Sequence, residues 1–326
     1  MAKTKTAERV TRPQGLARNG FERFCIHAKR DWQLYLLIVA PVVYLFIFNY
    51  IPLAGIQMSF RDYRPKGGVW GSDWVGLNWF QKFLDDPDFL KIFWNTVVLS
   101  VYSLVVGFPL PILFALMLNA MPSKRYKRTV QTLSYMPHFI STTVAIGIIQ
   151  LIFSPYNGLY GNVYRLLGNE GYPKDFRNLE STFRHIYVWS GVWQQLGWSS
   201  IIYMSALGSV SPDQHEAAEI DGASRIKRIF YIDLPAIAPT IMMLLIMRIG
   251  SLVGVGYEKA YLLQSPINLG TSEVISTYVF KHGMSSFRNF SYGTAVSLFN
   301  TVINWCLMFI TNMITRKSTD GDVALF

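Results

Sequence analysis

Six stretches of this chain are apolar almost from end to end: residues 33–59, 92–119, 133–153, 185–208, 240–264 and 292–315. Each exceeds the roughly 20 residues that a helix needs to cross the hydrocarbon core of a bilayer. Pro41, Pro52, Pro109, Pro111, Gly254 and Gly256 lie inside these runs, but neighbouring spans can re-satisfy the backbone groups that such residues free. Helices buried in a large soluble protein are the competing reading, and the run lengths argue against it. The pattern predicts an all-α integral membrane protein with six transmembrane helices over residues 33–315, tails at 1–32 and 316–326, and no soluble domain.

Composition agrees. Only 15% of residues are charged and 51% are hydrophobic, whereas soluble domains carry about 25% charge. The net charge of +10 raises nucleic acid as a partner, but its distribution argues for membrane topology instead. With the N-terminus inside, the segments 1–32, 120–132, 209–239 and 316–326 hold 17 of the 30 Lys and Arg, and the outer loops 60–91, 154–184 and 265–291 hold 11. Short basic clusters such as Lys124, Arg125, Lys127 and Arg128 orient spans with the positive side inward, which places both termini in the cytoplasm. The basic tail reads as disordered over its first 20 residues. Phe21, Phe24 and Trp32 among Arg23, Lys29 and Arg30 then suggest a helix lying at the inner interface. No apolar core precedes a cleavage site, so no signal peptide is expected. Cys25 and Cys306 fall on a tail and inside a span, with no disulfide or metal spacing. The outer loop 60–91, rich in Trp, Gly and Asp, and the loop 154–184, with Tyr156, Tyr160 and Tyr164, are too short for globular domains and suit short interfacial helices.

The connector 209–239 is polar and charged between two apolar runs. Ser211 suits an N-cap, Pro212 the first helical position and Gln214 the third, as in a capping box. Asp213 and Glu216 favour the helix dipole, Ala217 and Ala218 leave a thin surface, and Gly222 fits the C′ position. Ser224 can cap a second helix whose Ile226, Ile229, Phe230 and Asp233 share a face, with Arg225, Lys227 and Arg228 towards water. Pro235 and Pro239 are expected to break that helix before the fifth span. By pattern alone this is either a grip for a soluble partner or an amphipathic hairpin resting on the bilayer.

Glu216, Ala217, Ala218, then Asp221, Gly222, Ala223, then Ile232, Asp233, Leu234, Pro235 resemble the EAA motif of permease subunits of binding-protein-dependent ABC importers. The match covers about twenty residues, with the Gly and Leu-Pro at the family's spacing. The whole chain resembles the maltose-importer type of sugar permease, in the branch that handles complex oligosaccharides of the alginate and rhamnogalacturonan kind. The resemblance implies a type I importer permease fold, a second homologous permease, two ATPase subunits and an extracytoplasmic solute-binding protein. It implies that the hairpin is a cytoplasmic coupling helix docked on the ATPase through Glu216, Ala217, Ala218, Asp221, Gly222 and Ala223. It also implies a bacterial inner-membrane location and alternating access. The large extra outer domain of some maltose-type subunits has no room here. The chain lacks G-x-x-x-x-G-K-[ST], the loop that cradles phosphates, so ATP and Mg are expected on the partner ATPases and this chain carries no cofactor.

For the substrate path, Gln194 and Gln195 lie about 14 Å below the outer end of the fourth span, a depth at which amides usually face a cavity or another helix. Trp189, Trp193 and Trp198 offer rings that stack on sugar faces, although Trp189 reads as interfacial. Packing residues and interhelical hydrogen bonders are the alternatives. Arg248 lies about 12 Å into the fifth span, where a charge marks function by default. Snorkelling, or pairing with Glu258 about 15 Å along the helix, would be structural. The resemblance places sugar contacts near Gly191, Gln194, Gln195 and Trp198, and near Arg248, Ser251 and Leu252. Arg at that place suggests an anionic sugar, since a guanidinium grips a carboxylate with two hydrogen bonds. The expected substrate is a uronate-containing oligosaccharide such as an alginate or pectin fragment, with a neutral oligosaccharide or another solute as the alternative. Tyr257 and Glu258, nearer the outer end of the fifth span, are counted with the expected path, and Glu258 and Lys259 are expected to pair with other spans or shape the cavity mouth. Asn300 and Asn304 read as helix–helix hydrogen bonders, and Pro137 and His138 as local structure.

Enzymatic readings are weak. His215 and Glu216 begin the zinc motif H-E-x-x-H, but position 219 is Glu, so the second imidazole is missing. Gly197, Trp198 and Ser199 make only a chance G-x-S. An ion-coupled secondary transporter often carries paired intramembrane acids, and Glu258 alone is thin support for one.

Overall fold

A computed structural model describes residue 27, residues 29–285 and residues 289–318. Most of the tail expected over 1–32, with Cys25, and residues 319–326 lie outside the described residues. The chain divides into two compact units, Met1–Ile56 and Gln57–Phe326.

In the first unit, helix α1 (Trp32–Leu45) runs into a wide π-type turn at Phe46–Tyr50 and a further helical turn at Ile51–Leu53. None of its side chains is buried. A helix apolar on every side is stable only when lipid or protein surrounds it.

The second unit is helical as expected except at its start, in the outer loop expected to hold only short interfacial helices. The outer loop 60–91 forms an antiparallel hairpin, β1 (Arg61–Arg64) and β2 (Gly68–Trp74), followed by a short helix, Asn78–Leu84. Gly68 takes a positive φ at the turn. Arg61 Nη1 donates to Ser72 O at 2.8 Å, and the guanidinium lies over the rings of Trp70 and Trp74. Helices α2 (Phe89–Gly107) and α3 (Pro109–Asn119) form one apolar run. Pro109 and Pro111 sit at the start of α3, where a missing N–H is cheap.

The third expected span, 133–153, is not a straight rod. Helices α4 (Lys124–Tyr135) and α5 (Thr142–Ile152) belong to a pair bent by 103°. Pro137 lies in the turn between them, and Ser141 starts the new helix by accepting from Val144 N. The segment that follows is pinned by Arg177, which donates to Asp175 at 2.7 Å and to Gln150 O at 2.8 Å. That hydrogen bond holds the Asp175 carboxyl below the usual carboxylate range.

Helix α6 (Glu180–Leu207) has 28 residues and so spans about 42 Å. After it come α7 (Pro212–Ile220), α8 (Leu234–Gly250), α9 (Tyr257–Leu263) and α10 (Phe290–Ser318). Pro235 and Pro239 do not part the hairpin's second helix from the fifth span: helical structure is continuous over Arg225–Gly250. A π-type turn at Ile229–Asp233 directs Leu234 N to Ile229 O, and this wider register makes room for the Pro235 ring. The span instead breaks later, between Gly250 and Tyr257. Among the described residues, four helical stretches are long and apolar enough to cross a membrane, or five if the bent pair is one span. Helix α6 is long enough but too polar, because Ser190, Gln194, Gln195, Ser199 and Ser200 lie along it.

Helix α6 is the axis of this unit. Its Phe183 and Val188 pack with Leu99 of α2 and Ala260 and Leu263 of α9. Its Tyr203 and Leu207 pack with Ile112, Ala115 and Leu116 of α3 and Ile237 of α8. A third cluster joins Phe83 to Tyr278, Tyr292 and Val296, with the Tyr278 hydroxyl donating to Asp86 at 2.6 Å.

Candidate functional site

Two places concentrate the chemistry. The first is a cavity of about 800 Å³ bounded by α2, α3, α6, α8, the break after Gly250 and α9. Along α6 its wall follows one helical face, through Tyr187, Gly191, Gln194, Gln195, Trp198 and Ile202, as the 3.6-residue period requires. Arg248, Ser251, Glu258 and Lys259 add charged and polar groups to the lining, beside hydroxyls such as Ser100, Ser103 and Thr142.

Four of these groups, Gln194, Gln195, Trp198 and Glu258, are held by elements distant in sequence. Gln194 is buried, and its Nε2 donates to Ile140 O at 2.7 Å, so its amide secures the bend between α4 and α5. Gln195 Oε1 lies 3.0 Å from His138 Nδ1, and the His138 ring stacks on Trp198 at 4.3 Å with the planes 4° apart. His138 is therefore part of the cavity's supporting structure as well as of the local turn. Glu258 accepts from the Thr143 hydroxyl at 2.9 Å.

The break at residues 251–256 is held from α10. Asn304 Oδ1 accepts from Val253 N at 2.8 Å, and Asn300 Nδ2 donates to Val253 O at 3.4 Å. These two amides capture the donor and acceptor that unwinding frees, the condition for irregular backbone at membrane depth. Arg248 is exposed into the cavity at the end of α8. Among the described residues it makes no ion pair.

Tyr257 departs from the expected path. Its ring stacks on Phe280 at 5.1 Å, and it does not border this cavity. Trp189 and Trp193 also lie off the cavity wall. Tyr187 and Lys259 are wall residues that the sequence reading left out of the path. Tyr187 was findable as the residue two turns before Gln194 on the same face. His138 and Thr143 carried no such signal, since only the bend brings them near.

The second place is the hairpin 209–239. Ser211 accepts from Asp213 N and Ser224 from Lys227 N, so both proposed caps are formed. Gly222 has φ +76, Ala223 N donates to Ala218 O at 2.8 Å, and Gly222 N donates to Glu219 O at 3.1 Å. This is the paired closure of a Schellman motif. Glu216, Ala217, Asp221 and Gly222 are exposed, and Ala218 and Ala223 half-buried. The second helix differs from expectation. Arg228 turns back and donates to Glu219 at 2.9 Å, while Ile226 and Phe230 are exposed. Asp233 is buried, 3.3 Å from His215 Nε2 and 3.4 Å from Asn119 Nδ2, which ties α7 to the base of α8 and the end of α3.

Residues 107–319 match the family described as the binding-protein-dependent transport system inner membrane component. The chain belongs to this family. The permease is 38% identical over 289 residues to protein LplB of Bacillus subtilis (strain 168), covering 89% of this chain and 90% of the relative. It is 36% identical to the polygalacturonan/rhamnogalacturonan transport system permease protein YteP of the same organism, covering 91% of each. Its fold matches a solved bacterial ABC transporter involved in the import of the acidic polysaccharide alginate, with TM-score 0.81 at 36% identity over 91% of this chain and 99% of that one. The same fold is found in a bacterial alginate ABC transporter in complex with alginate pentasaccharide-bound periplasmic protein, with TM-score 0.81 and 35% identity. The permease is thus a membrane subunit of an ABC importer that works with a binding protein, and its relatives are transport proteins rather than enzymes.

Proposed function

We propose that this permease imports an anionic, uronate-containing oligosaccharide by alternating access. The observation that carries this reading is Arg248, a guanidinium without an ion-pair partner among the described residues, facing a cavity of about 800 Å³ beside Trp198 and Gln195. In low dielectric such a charge calls for a counter-charge, and a carboxylate matches its two-pronged donors. Trp198 supplies a flat face for a sugar ring. Relatives named for polygalacturonan, rhamnogalacturonan and alginate support the same chemistry.

In this reading the complex contains a second homologous permease, two ATPase subunits that bind ATP and Mg, and an extracytoplasmic binding protein. Six spans run with both termini in the cytoplasm. The residue set Glu216, Ala217, Ala218, Asp221, Gly222 and Ala223 docks on the ATPase. Closing of the ATPase pair draws the hairpins together and opens the cavity outward, and hydrolysis reverses this. The test is uptake by the reconstituted complex from a panel of acidic and neutral oligosaccharides. Arg248→Ala is expected to cut acidic-sugar uptake by about tenfold or more, the size of a lost hydrogen-bonded charge contact, and neutral uptake by less than about threefold. Equal losses on both would remove the anionic assignment.

A further inference from the structure

The cavity contains a second cation that Arg248 alone leaves unexplained. Lys259 borders the same cavity. Its Nζ lies 4.6 Å from the centre of the Tyr187 ring. A Cβ added at Gly191 would stand 3.0 Å from that Nζ, so the ammonium fills the space a side chain there would take. Tyr187 and Gly191 are four residues apart on α6 and share a face. Ring and gap together form a seat that aims the ammonium along the cavity wall.

Glu258 does not neutralise it. That carboxylate accepts from Thr143, and among the described residues Lys259 makes no ion pair. An unbroken helix would set Lys259 about 16 Å beyond Arg248 along one axis. The break at 251–256, held by Asn300 and Asn304, brings both cations to one cavity instead. Tyr187 lines the same cavity as Arg248 and is in ring contact with Lys259.

We propose that Lys259 is a specificity-determining residue that receives a second carboxylate of the substrate, so that the cavity prefers oligosaccharides with uronate groups on two sugar units over those with one. The inference rests on the uronate reading of Arg248 and adds the number of charges to it. Gly191 is a positioning residue for the same ammonium.

The experiment uses the complete reconstituted importer in proteoliposomes and three probes: trigalacturonate, its singly charged dimethyl ester and its neutral trimethyl ester. The binding protein's affinity for each probe is measured separately and divided out. Lys259→Gln is expected to lower the uptake ratio of trigalacturonate to the singly charged ester about tenfold, and Lys259→Arg to restore at least about a third of it. Gly191→Ala is expected to shift the ratio in the same direction as Lys259→Gln, because its methyl displaces the ammonium. It also serves as the second reading if the Lys259 variant fails to reach the membrane. Equal loss on all three probes, with the ratio unchanged, overturns the proposal. If Arg248→Ala lowers uptake of the charged probes more than of the neutral one while Lys259→Gln leaves the ratio unchanged, only the second-cation assignment fails. If Arg248→Ala lowers all three equally, the uronate reading fails with it.

Discussion

The hairpin at 209–239 and the cavity around α6 are built in opposite ways. Most of the hairpin's hydrogen bonds close over short distances in sequence: Ser211 to Asp213, Ser224 to Lys227, Ala223 to Ala218 and Arg228 to Glu219, none more than nine residues apart. Several of its apolar side chains remain uncovered, with Ile220 87% and Tyr231 80% exposed. The cavity is tied across 54 residues by Gln194 and Ile140, 115 by Glu258 and Thr143, and 51 by Val253 and Asn304. One region holds its shape locally and offers its surface outward. The other has no shape until five helices and a break are assembled. A lever that must keep its form while it is pushed suits the first construction, and a chamber whose walls must separate and rejoin suits the second.

Three substitutions sharpen that contrast. The largest effect is expected from Gly222→Val. A β-branched residue at φ +76 costs about 1–2 kcal/mol or more and reshapes the tip. Uptake should fall to background and ATPase co-purification should weaken while the amount of permease in the membrane is unchanged. Wild-type uptake would end the view that the tip's shape matters. Next is Asn304→Ala in the cavity, which frees the Val253 N–H. A lost partner for a buried backbone group costs about 1–3 kcal/mol. The solubilised complex should therefore melt at a lower temperature and transport more slowly, with ATPase binding intact. Loss of ATPase binding instead would mean that the two regions are not separable. Smallest is Arg228→Ala. Its partner Glu219 is 69% exposed, and such pairs are worth about 0–1 kcal/mol, so uptake should stay within about twofold of wild type. A larger loss would show that Arg228 meets another subunit.

The difference in construction also explains what could be read from the sequence. The caps at Ser211 and Ser224 and the left-handed Gly222 were legible because each depends on a residue's own backbone preference and on partners a few positions away. Helical period put Gln194, Gln195 and Trp198 on one face for the same reason. The stacking of Trp198 on His138, the diversion of Tyr257 to Phe280 and the service of Asn300 and Asn304 to Val253 were not legible, since each partner lies more than twenty residues away. The hairpin at 61–74 was not legible, because the loop's Trp residues suit an interfacial helix equally well.

The amino-acid sequence alone determined that the chain is helical and membrane-embedded, and that a stiff capped elbow projects between its fourth and fifth apolar runs. Hydrophobic run length and capping are local properties, settled by the transfer of side chains out of water and by backbone dihedrals. Only the tertiary structure decided that the fourth run, polar for a span, faces a chamber, that the fifth is interrupted after Gly250, and that Arg248 and Lys259 share one cavity. Those outcomes depend on satisfying freed amides and unpaired charges in a medium without water, and the groups that satisfy them come from parts of the chain that meet only when it folds.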